Sequence, residues 1–398
     1  MKFSVTSNEF IRAINKVIGV IPTRSTLPIL GNVYLNLEGN ILTVIGTDLE
    51  IYIKATLSVN GKIDGKVAIP AKRLETLLQN LGNVELNLEL QSNYKLVIKT
   101  KGARWVITGE EPGDFPLPVE VENPKIIEIN NLVLCKYLSK AIHAASSDEL
   151  RRSMNGVFFE IKKGEFRVVS TDGHRLVKIT RGNFNYDGDR FTLLVPIKTS
   201  QIITKLFKGT KTADSKITEQ ESENEEATGE NTQPEISSNV IIYLSPEFIQ
   251  CKFENITITS RLIDDTFPNY ESVIPTDNEK TLKVEKLPLI GSVKRSIIMS
   301  DEVTKRTSFN VNDNELKVKA ANNEYGTDSE ETIECSFTDS EPFEISFNGK
   351  YLLEALQHFD SNEVLFDFSS PLKASVLRPS EQDENEEMMM LVMPVRNI

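Results

Sequence analysis

Apolar and polar positions alternate along much of the chain, and the alternation recurs in blocks. From Leu30, LGNVYLNLEGNILTVIGTDLEIYIKA predicts two strands around a short polar turn, then a Thr-Asp turn and a third strand. From Met154, MNGVFFEIKKGEFRVVSTDGHRLVKI repeats the pattern, with Gly156 in the place of Gly31 and Thr171 in the place of Thr47. A weaker third copy, TSFNVNDNELKVKAANNEYGTDSEETIEC, sets Ala321-Asn322 at the Thr-Asp position. Repetition of this kind decides the fold before any motif does.

Helical periodicity repeats in the same order. VAIPAKRLETLLQNL, LLVPIKTSQIITKLF and ISFNGKYLLEALQHF each predict a strand end followed by a helix. Leu77 and Leu81, Ile203 and Phe207, and Ala355 and Phe359 are the expected buried faces, and Lys72, Lys198 and Lys350 share one place. Each copy also opens on a helix. Ser7 is expected to cap NEFIRAINKVIGV, turning Phe10, Ile14 and Val17 inward and Arg12 and Lys16 outward. NNLVLCKYLSKAIHAA carries Lys136 and Lys140 four apart on one face. EKLPLIGSVKRSIIMS carries Lys294 and Arg295 but is interrupted by Pro288 and Gly291. The reading is an α+β chain of three tandem domains, at about 1–122, 123–278 and 279–398, each with two helices and roughly eight short strands.

Charge sharpens this picture. The chain's net −13 argues against nucleic acid until its distribution is read. Residues 211–239 hold eight acidic and two basic side chains, and residues 380–387 (SEQDENEE) hold five acidic and none basic, so about −2 remains for the rest. Two acidic segments on the outside leave room for a basic surface elsewhere. The first belongs to a stretch at about 209–238, rich in Glu, Thr, Ser and Asn and nearly free of large apolar residues, and is expected to be a disordered insertion. Cys135, Cys251 and Cys335 lie far apart in apolar stretches, with no metal-ligand spacing, so buried thiols in a reducing compartment and no cofactor are expected. No apolar run approaches the roughly 18 residues of a membrane helix, and MKFSVTSNEF lacks a signal peptide's apolar core, so a cytoplasmic protein without membrane attachment is expected.

The densest polar stretch is STDGHRL, ending at Leu176. A hydrolase or nuclease built on Asp172 and His174 would need a convergent base, nucleophile or metal set, which the chain does not offer elsewhere. The matching GTDLEI keeps Thr47-Asp48 without histidine or arginine. Thr-Asp is therefore expected to build the turn, its carboxylate taking backbone N–H groups two residues on. Gly173-His174-Arg175-Leu176 is what the middle copy adds.

Taken in order, TLPILGN, GTDLE, STDGHRL, FPNY and the terminal MPVR resemble the bacterial DNA polymerase III beta subunit, the sliding-clamp family, across almost the whole chain. The resemblance implies three two-helix, two-sheet domains and a head-to-tail homodimer closing into a ring, with helices lining a hole that holds duplex DNA without sequence specificity. It implies a non-catalytic subunit of a polymerase holoenzyme that tethers the replicative polymerase alpha subunit, the clamp loader, other polymerases and repair factors through short peptide motifs. The pocket for those motifs maps onto Met154, Thr171, Gly173, His174, Arg175, Leu176, Pro268, Val273, Ser375, Leu391, Val392, Met393, Pro394, Val395 and Arg396. Arg24 matches a DNA-contacting position, and Arg12, Lys16, Lys72, Lys136, Lys140, Lys198 and Lys350 are added as lining by the repeat. For ring closure, Trp105 and Ile107 are expected to pack against Ile298 and Met299 of the second copy. The chain departs from the family at Glu271-Ser272, where some relatives carry arginine, at Asn397-Ile398, which extends the usual ending, and at the acidic insertion. A monomeric repeat scaffold that binds peptides but no DNA is the alternative.

Overall fold

The computed structural model describes residues 1–208, 238–312 and 314–395. The acidic insertion, apart from Ser238, and Arg396, Asn397 and Ile398 lie outside the described residues. The six α-helices among the described residues are α1 (Ser7–Val17), α2 (Ala71–Gln79), α3 (Asn131–Ile142), α4 (Ile197–Phe207), α5 (Lys286–Met299) and α6 (Gly349–Gln357). The strands Lys2–Thr6, Lys125–Asn130 and Lys280–Glu285 lead into α1, α3 and α5, so each copy opens as strand then helix.

Helix α1 buries Phe10, Ile14 and Val17 as its period requires. Its cap is Thr6 rather than Ser7: Thr6 Oγ1 accepts from the Glu9 N–H while the Glu9 carboxylate reaches back, a capping box. Ser7 is instead the first helical residue, buried, with its hydroxyl donating to the Gly82 carbonyl at 2.6 Å. Helix α2 buries Leu74 and Leu78, not Leu77 and Leu81, because it ends at Gln79 and Leu81 falls beyond it. Helix α5 runs unbroken through Pro288, which stands in the first turn where no intrahelical N–H is needed.

The chain forms two compact units. One comprises Met1–Cys135 and Gln201–Leu262, the other Lys136–Ser200 and Ile263–Ile398. In the first, the strand Ile256–Arg261 pairs antiparallel with Ile51–Ser58 inside an eight-stranded sheet, joining the first and middle copies. In the second, Arg175–Phe184 pairs antiparallel with Glu386–Val392 inside a twelve-stranded sheet, joining the middle and third copies. The middle copy thus contributes strands to both units. Fully buried Phe159, Phe166, Phe309, Phe347 and Phe366 are core residues of the second unit.

Candidate functional site

The side-chain oxygen that closes the polar turn recurs in all three copies. Asp48 Oδ1 accepts from the N–H groups of Glu50 (3.1 Å) and Ile51 (2.8 Å), and Asp172 Oδ1 from those of His174 (2.9 Å) and Arg175 (3.0 Å). Asn322 Oδ1 accepts from the N–H groups of Glu324 (2.9 Å) and Tyr325 (3.3 Å). Thr47 and Thr171 hydroxyls accept from Leu49 and Gly173 in the same way. The residue after the aspartate has positive φ, +80° at Leu49 and +89° at Gly173. Glycine adopts that conformation without the steric cost that a side chain carries.

Beyond the turn, strand register assembles an apolar face. Thr171, Leu176, Leu391 and Val376 are successive partners across four neighbouring strands. Leu176 and Leu391 pack with Val169, Leu194, Phe267, Tyr270, Ala374 and Met389 in one buried cluster. Phe267 is fixed above it by stacking on Phe158, with centroids 4.6 Å apart and planes within 8°. Pro268 and Val273, which follow in the same segment, are exposed, and Met154 is half-buried. The segment is tied down through Tyr270, whose hydroxyl donates to Glu160 at 2.8 Å and accepts from Arg167 at 3.2 Å. Burial chiefly, with Arg167 and Glu160 acting in opposite senses, pushes that phenol up to about 12. Glu271 pairs with Arg167 at 2.8 Å.

Arg175, Val392 and Ser375 form the adjacent row and, by strand alternation, belong to the opposite face of the sheet. The candidate set is thus divided, and only the end of the sheet brings its halves together. There Met393 N–H donates to the His174 carbonyl at 2.9 Å, Val395 N–H to the Ser346 carbonyl at 2.7 Å, and Pro394 bridges to Phe347. Met393 remains 40% exposed and His174 exposed, while Ser375, Thr171, Leu391 and Val392 are buried. Thr171 and Leu391 lie on the face of the buried cluster and Val392 and Ser375 on the opposite face, while Met393, His174, Gly173, Pro268 and Val273 are exposed. Arg396 lies outside the described residues.

Residues that the pattern reading missed surround Arg175. Its Nε donates to Asp172 at 3.1 Å, its Nη1 to Glu354, and its Nη2 to the His143 carbonyl. Its guanidinium lies 4.6 Å from the centroid of the Tyr351 ring, against which His174 also stacks at 6.2 Å. Tyr351 follows Lys350, and the helix pattern drew attention only to the lysine. Asp172 spends both carboxylate oxygens on the turn and on Arg175, which is a positioning arrangement.

The cationic candidates separate. Arg12, Arg24, Lys72, Lys198 and Lys350 are exposed, Lys72 beside Glu75 at 2.7 Å. Lys16 donates to Asn255 at 2.8 Å, and burial, partly offset by Glu254, lowers its pKa. Lys140 is corrected: its side chain is 9% exposed and its ammonium is held by Asp360 at 2.5 Å. Lys136 is corrected as well, lying between Asp383 (3.1 Å) and Glu386 (2.9 Å). Burial opposes its charge, but the hydrogen bonds it donates to Glu386 and Asp383 outweigh this and leave the pKa raised. Asp383 and Glu386 of the acidic 380–387 segment pair with Lys136 of α3, while Glu381, Glu384 and Glu387 are exposed.

Among the expected ring contacts, Ile298 is 75% exposed, Met299 is exposed and Trp105 is half-buried. Ile107 is corrected to a core residue at 8% exposure, and Val106 beside it is exposed. Among the described residues no group of three His, Cys, Asp or Glu side chains is placed to hold a metal, and no helix is long and apolar enough to cross a membrane.

Comparison with known proteins extends over the same span. Sequence profiles of the DNA polymerase III beta subunit match in order: the N-terminal domain at residues 1–119, the central domain at 128–269 and the C-terminal domain at 271–396. The beta sliding clamp of Vibrio cholerae is 25% identical over 397 residues, covering all of both chains. That of Pseudomonas aeruginosa is 27% identical over 400 residues, again covering all of both. The crystal structure of the Pseudomonas aeruginosa DNA polymerase III subunit beta superposes with a TM-score of 0.88 at 25% identity over 100% of each chain. A sliding clamp from the same organism, solved bound to griselimycin, superposes with a TM-score of 0.88 at 26% identity over 100% of each chain.

Proposed function

The chain belongs to the DNA polymerase III beta subunit family, and from that premise we propose how its surfaces perform the work of a sliding clamp. Two copies close head to tail around duplex DNA, and the ring moves along it because the link is topological. The exposed cations Arg12, Arg24, Lys72, Lys198 and Lys350 face the phosphates, whose contacts carry no sequence information. The chain itself performs no catalysis. It acts in the cytoplasm and raises the processivity of the replicative polymerase alpha subunit, serving the clamp loader, other polymerases and repair factors in turn.

Ring closure is supported by two strand edges of opposite charge. Arg104–Thr108 ends its five-stranded sheet, with Lys99, Lys101 and Arg104 exposed. Residues 327–334 of the strand Thr327–Phe337 pair on one side only among the described residues, and Asp328, Glu330 and Glu334 are exposed there. Joining two such edges satisfies backbone groups that each leaves open. It also brings Trp105 and Val106 toward Ile298 and Met299.

Partner peptides dock at the end of the twelve-stranded sheet, on the floor of Leu176 and Leu391, between Pro268 and Val273 on one side and His174 and Met393 on the other. Methionine and leucine give an adaptable apolar surface, and Arg175 sets a cation at its margin. The observation that carries the reading is the recurrence of one turn in all three copies. It makes Thr171-Asp172 a structural element and leaves the added Gly173 to Leu176 as the specialised part. Deleting residues 393–398 should abolish binding of a peptide from the polymerase alpha subunit, while native mass spectrometry still finds a particle of two shortened chains. Unchanged peptide affinity would contradict the pocket, and a single-chain mass for the intact protein at micromolar concentration would contradict the ring.

A further inference from the structure

The threefold repeat carries a template for the contact that a second copy makes. Two junctions between copies lie inside the chain, and both are strand pairs in one register. Tyr52, Leu176 and Asp328 are equivalent positions, because they stand opposite Thr47, Thr171 and Ala321. On the other strand of each junction, equivalence follows from the segment that leaves it. The N–H groups of Glu110, Ile263 and Val395 donate to the carbonyls of Ala68, Leu194 and Ser346 at 2.8, 3.0 and 2.7 Å. Those three carbonyls share one place, opposite Tyr34, Phe158 and Ser308. Four residues earlier in the chain stand Val106, Thr259 and Leu391, which are therefore equivalent too.

Within the chain, Thr259 pairs with Tyr52 and Leu391 with Leu176. Both junctions also end on the same bond. The Arg261 N–H donates to the Glu50 carbonyl at 2.9 Å, and the Met393 N–H to the His174 carbonyl at 2.9 Å. The third pair of positions, Val106 and Asp328, is not joined within the chain, since Arg104–Thr108 pairs only with Lys95–Lys99 among the described residues.

We infer that ring closure repeats the in-chain register between two copies: Arg104–Thr108 of one chain adds antiparallel to Thr327–Phe337 of the other, with Val106 opposite Asp328. Trp105 then falls opposite Ser329, Arg104 opposite Glu330, and the Thr108 N–H meets the Gly326 carbonyl. The inference rests on the ring reading above and assigns its contacts.

Side-chain alternation agrees, because opposite residues of an antiparallel pair point to one face. Arg104, Val106, Asp328 and Glu330 are exposed, whereas Trp105, Thr327 and Ser329 are half-buried and Ile107 is buried. A slip of one residue sets the Trp105 face against the exposed one. A slip of two restores the faces but moves Arg104 from Glu330 to Asp328 or Thr332. Glu330 already takes Lys319 at 2.8 Å and Lys317 at 3.7 Å from the strand on its other side, so Arg104 extends a ladder of alternating charge. At the equivalent place the in-chain junctions set Thr257 opposite Lys54 and Met389 opposite Lys178, neither an ion pair. The closing junction differs from them in joining opposite charges there, which makes it the salt-sensitive one.

The test is charge reversal, with the dimer Kd of the full chain read by sedimentation at about 0.1 M salt, where exposed charges act over about 10 Å. Arg104→Glu sets carboxylates opposite each other at both contacts of the ring and should raise Kd about tenfold or more, and Glu330→Arg should do likewise. Arg104→Glu/Glu330→Arg restores opposite charges and should bring Kd back to within about threefold of wild type. Arg104→Glu/Asp328→Arg places the new cation in the slipped register and should stay weak. Should Glu330→Arg unsettle its own strand, Arg104→Gln and Glu330→Gln are read instead, and their effects should not add. Recovery by Asp328→Arg in place of Glu330→Arg would overturn the register, as would a Kd indifferent to Arg104→Glu. A wild-type chain that stays single at micromolar concentration removes the ring reading itself, whereas a dimer that ignores the reversals removes only this register.

Discussion

Replacing Asp172 by alanine should open the turn at the edge of the pocket, and the cost can be worked from its contacts. The carboxylate accepts two backbone N–H groups, at 2.9 and 3.0 Å, and the Arg175 Nε at 3.1 Å. Hydrogen bonds to a charged group contribute about 1.5–3 kcal/mol each, and water at this half-buried position replaces part of that. A local loss of about 3 kcal/mol is expected, which corresponds to roughly a hundredfold faster amide exchange at His174 and Arg175. Asparagine keeps the acceptor oxygen and loses only the pairing with Arg175, so Asp172→Asn should accelerate exchange by about fivefold. Because Asp48 makes the same two bonds, Asp48→Ala should accelerate exchange at Glu50 and Ile51 to a similar degree. Hydrogen–deuterium exchange read by mass spectrometry over both segments measures this. Unchanged exchange in Asp172→Ala, or an effect confined to Asp172 with none at Asp48, would refute the equivalence on which the functional reading depends.

Three further outcomes follow from placement. Ile107→Ala should cost about 2–4 kcal/mol of stability, whereas Ile298→Ala, 75% exposed, should leave thermal unfolding of the single chain unchanged and weaken self-association in sedimentation. Lys136→Ala with Lys140→Ala should lower the Tm, because Glu386 and Asp360 lose their partners, yet leave the salt dependence of DNA binding unaltered; a shallower salt slope would mean that these lysines do meet phosphate. His143 also links stability to pH: its folded pKa of about 3 lies below the unfolded value of about 6.5, so the unfolded chain binds the extra proton between them. Stability should therefore fall as pH drops through that window, by about 2 kcal/mol at pH 5, and His143→Phe should show a correspondingly flatter Tm profile on the acid side.

Local chemistry was readable in the chain wherever neighbours in sequence decide the outcome. Period-two alternation located the strands, and the Thr-Asp pairs announced turns because an aspartate can reach only N–H groups two or three residues on. Asn322 was readable for the same reason. Thr6 was the harder case, since serine and threonine stand side by side, and Glu9 three residues after Thr6 was the signal that distinguishes them. The buried face of α2 was displaced by one turn because its helix ends before Leu81. What alternation could not reveal was long-range electrostatics. The lysines of α3 look like a solvated face until Asp383 and Glu386 pair with Lys136 and Asp360 pairs with Lys140, all far away in sequence. Likewise, nothing near His143 announces His358, and Tyr351 gains its meaning only from Arg175, brought to it by the sheet.

The central claim is a topological link to DNA. Retention of the loaded protein on circular duplex DNA, before and after one cut by a restriction enzyme, tests it most directly. The account predicts that the protein stays on the closed circle through a wash of about 0.5 M salt, in which exposed cation–phosphate contacts are screened, and departs once the DNA is linear. Equal retention on both forms, or loss from both, would contradict it.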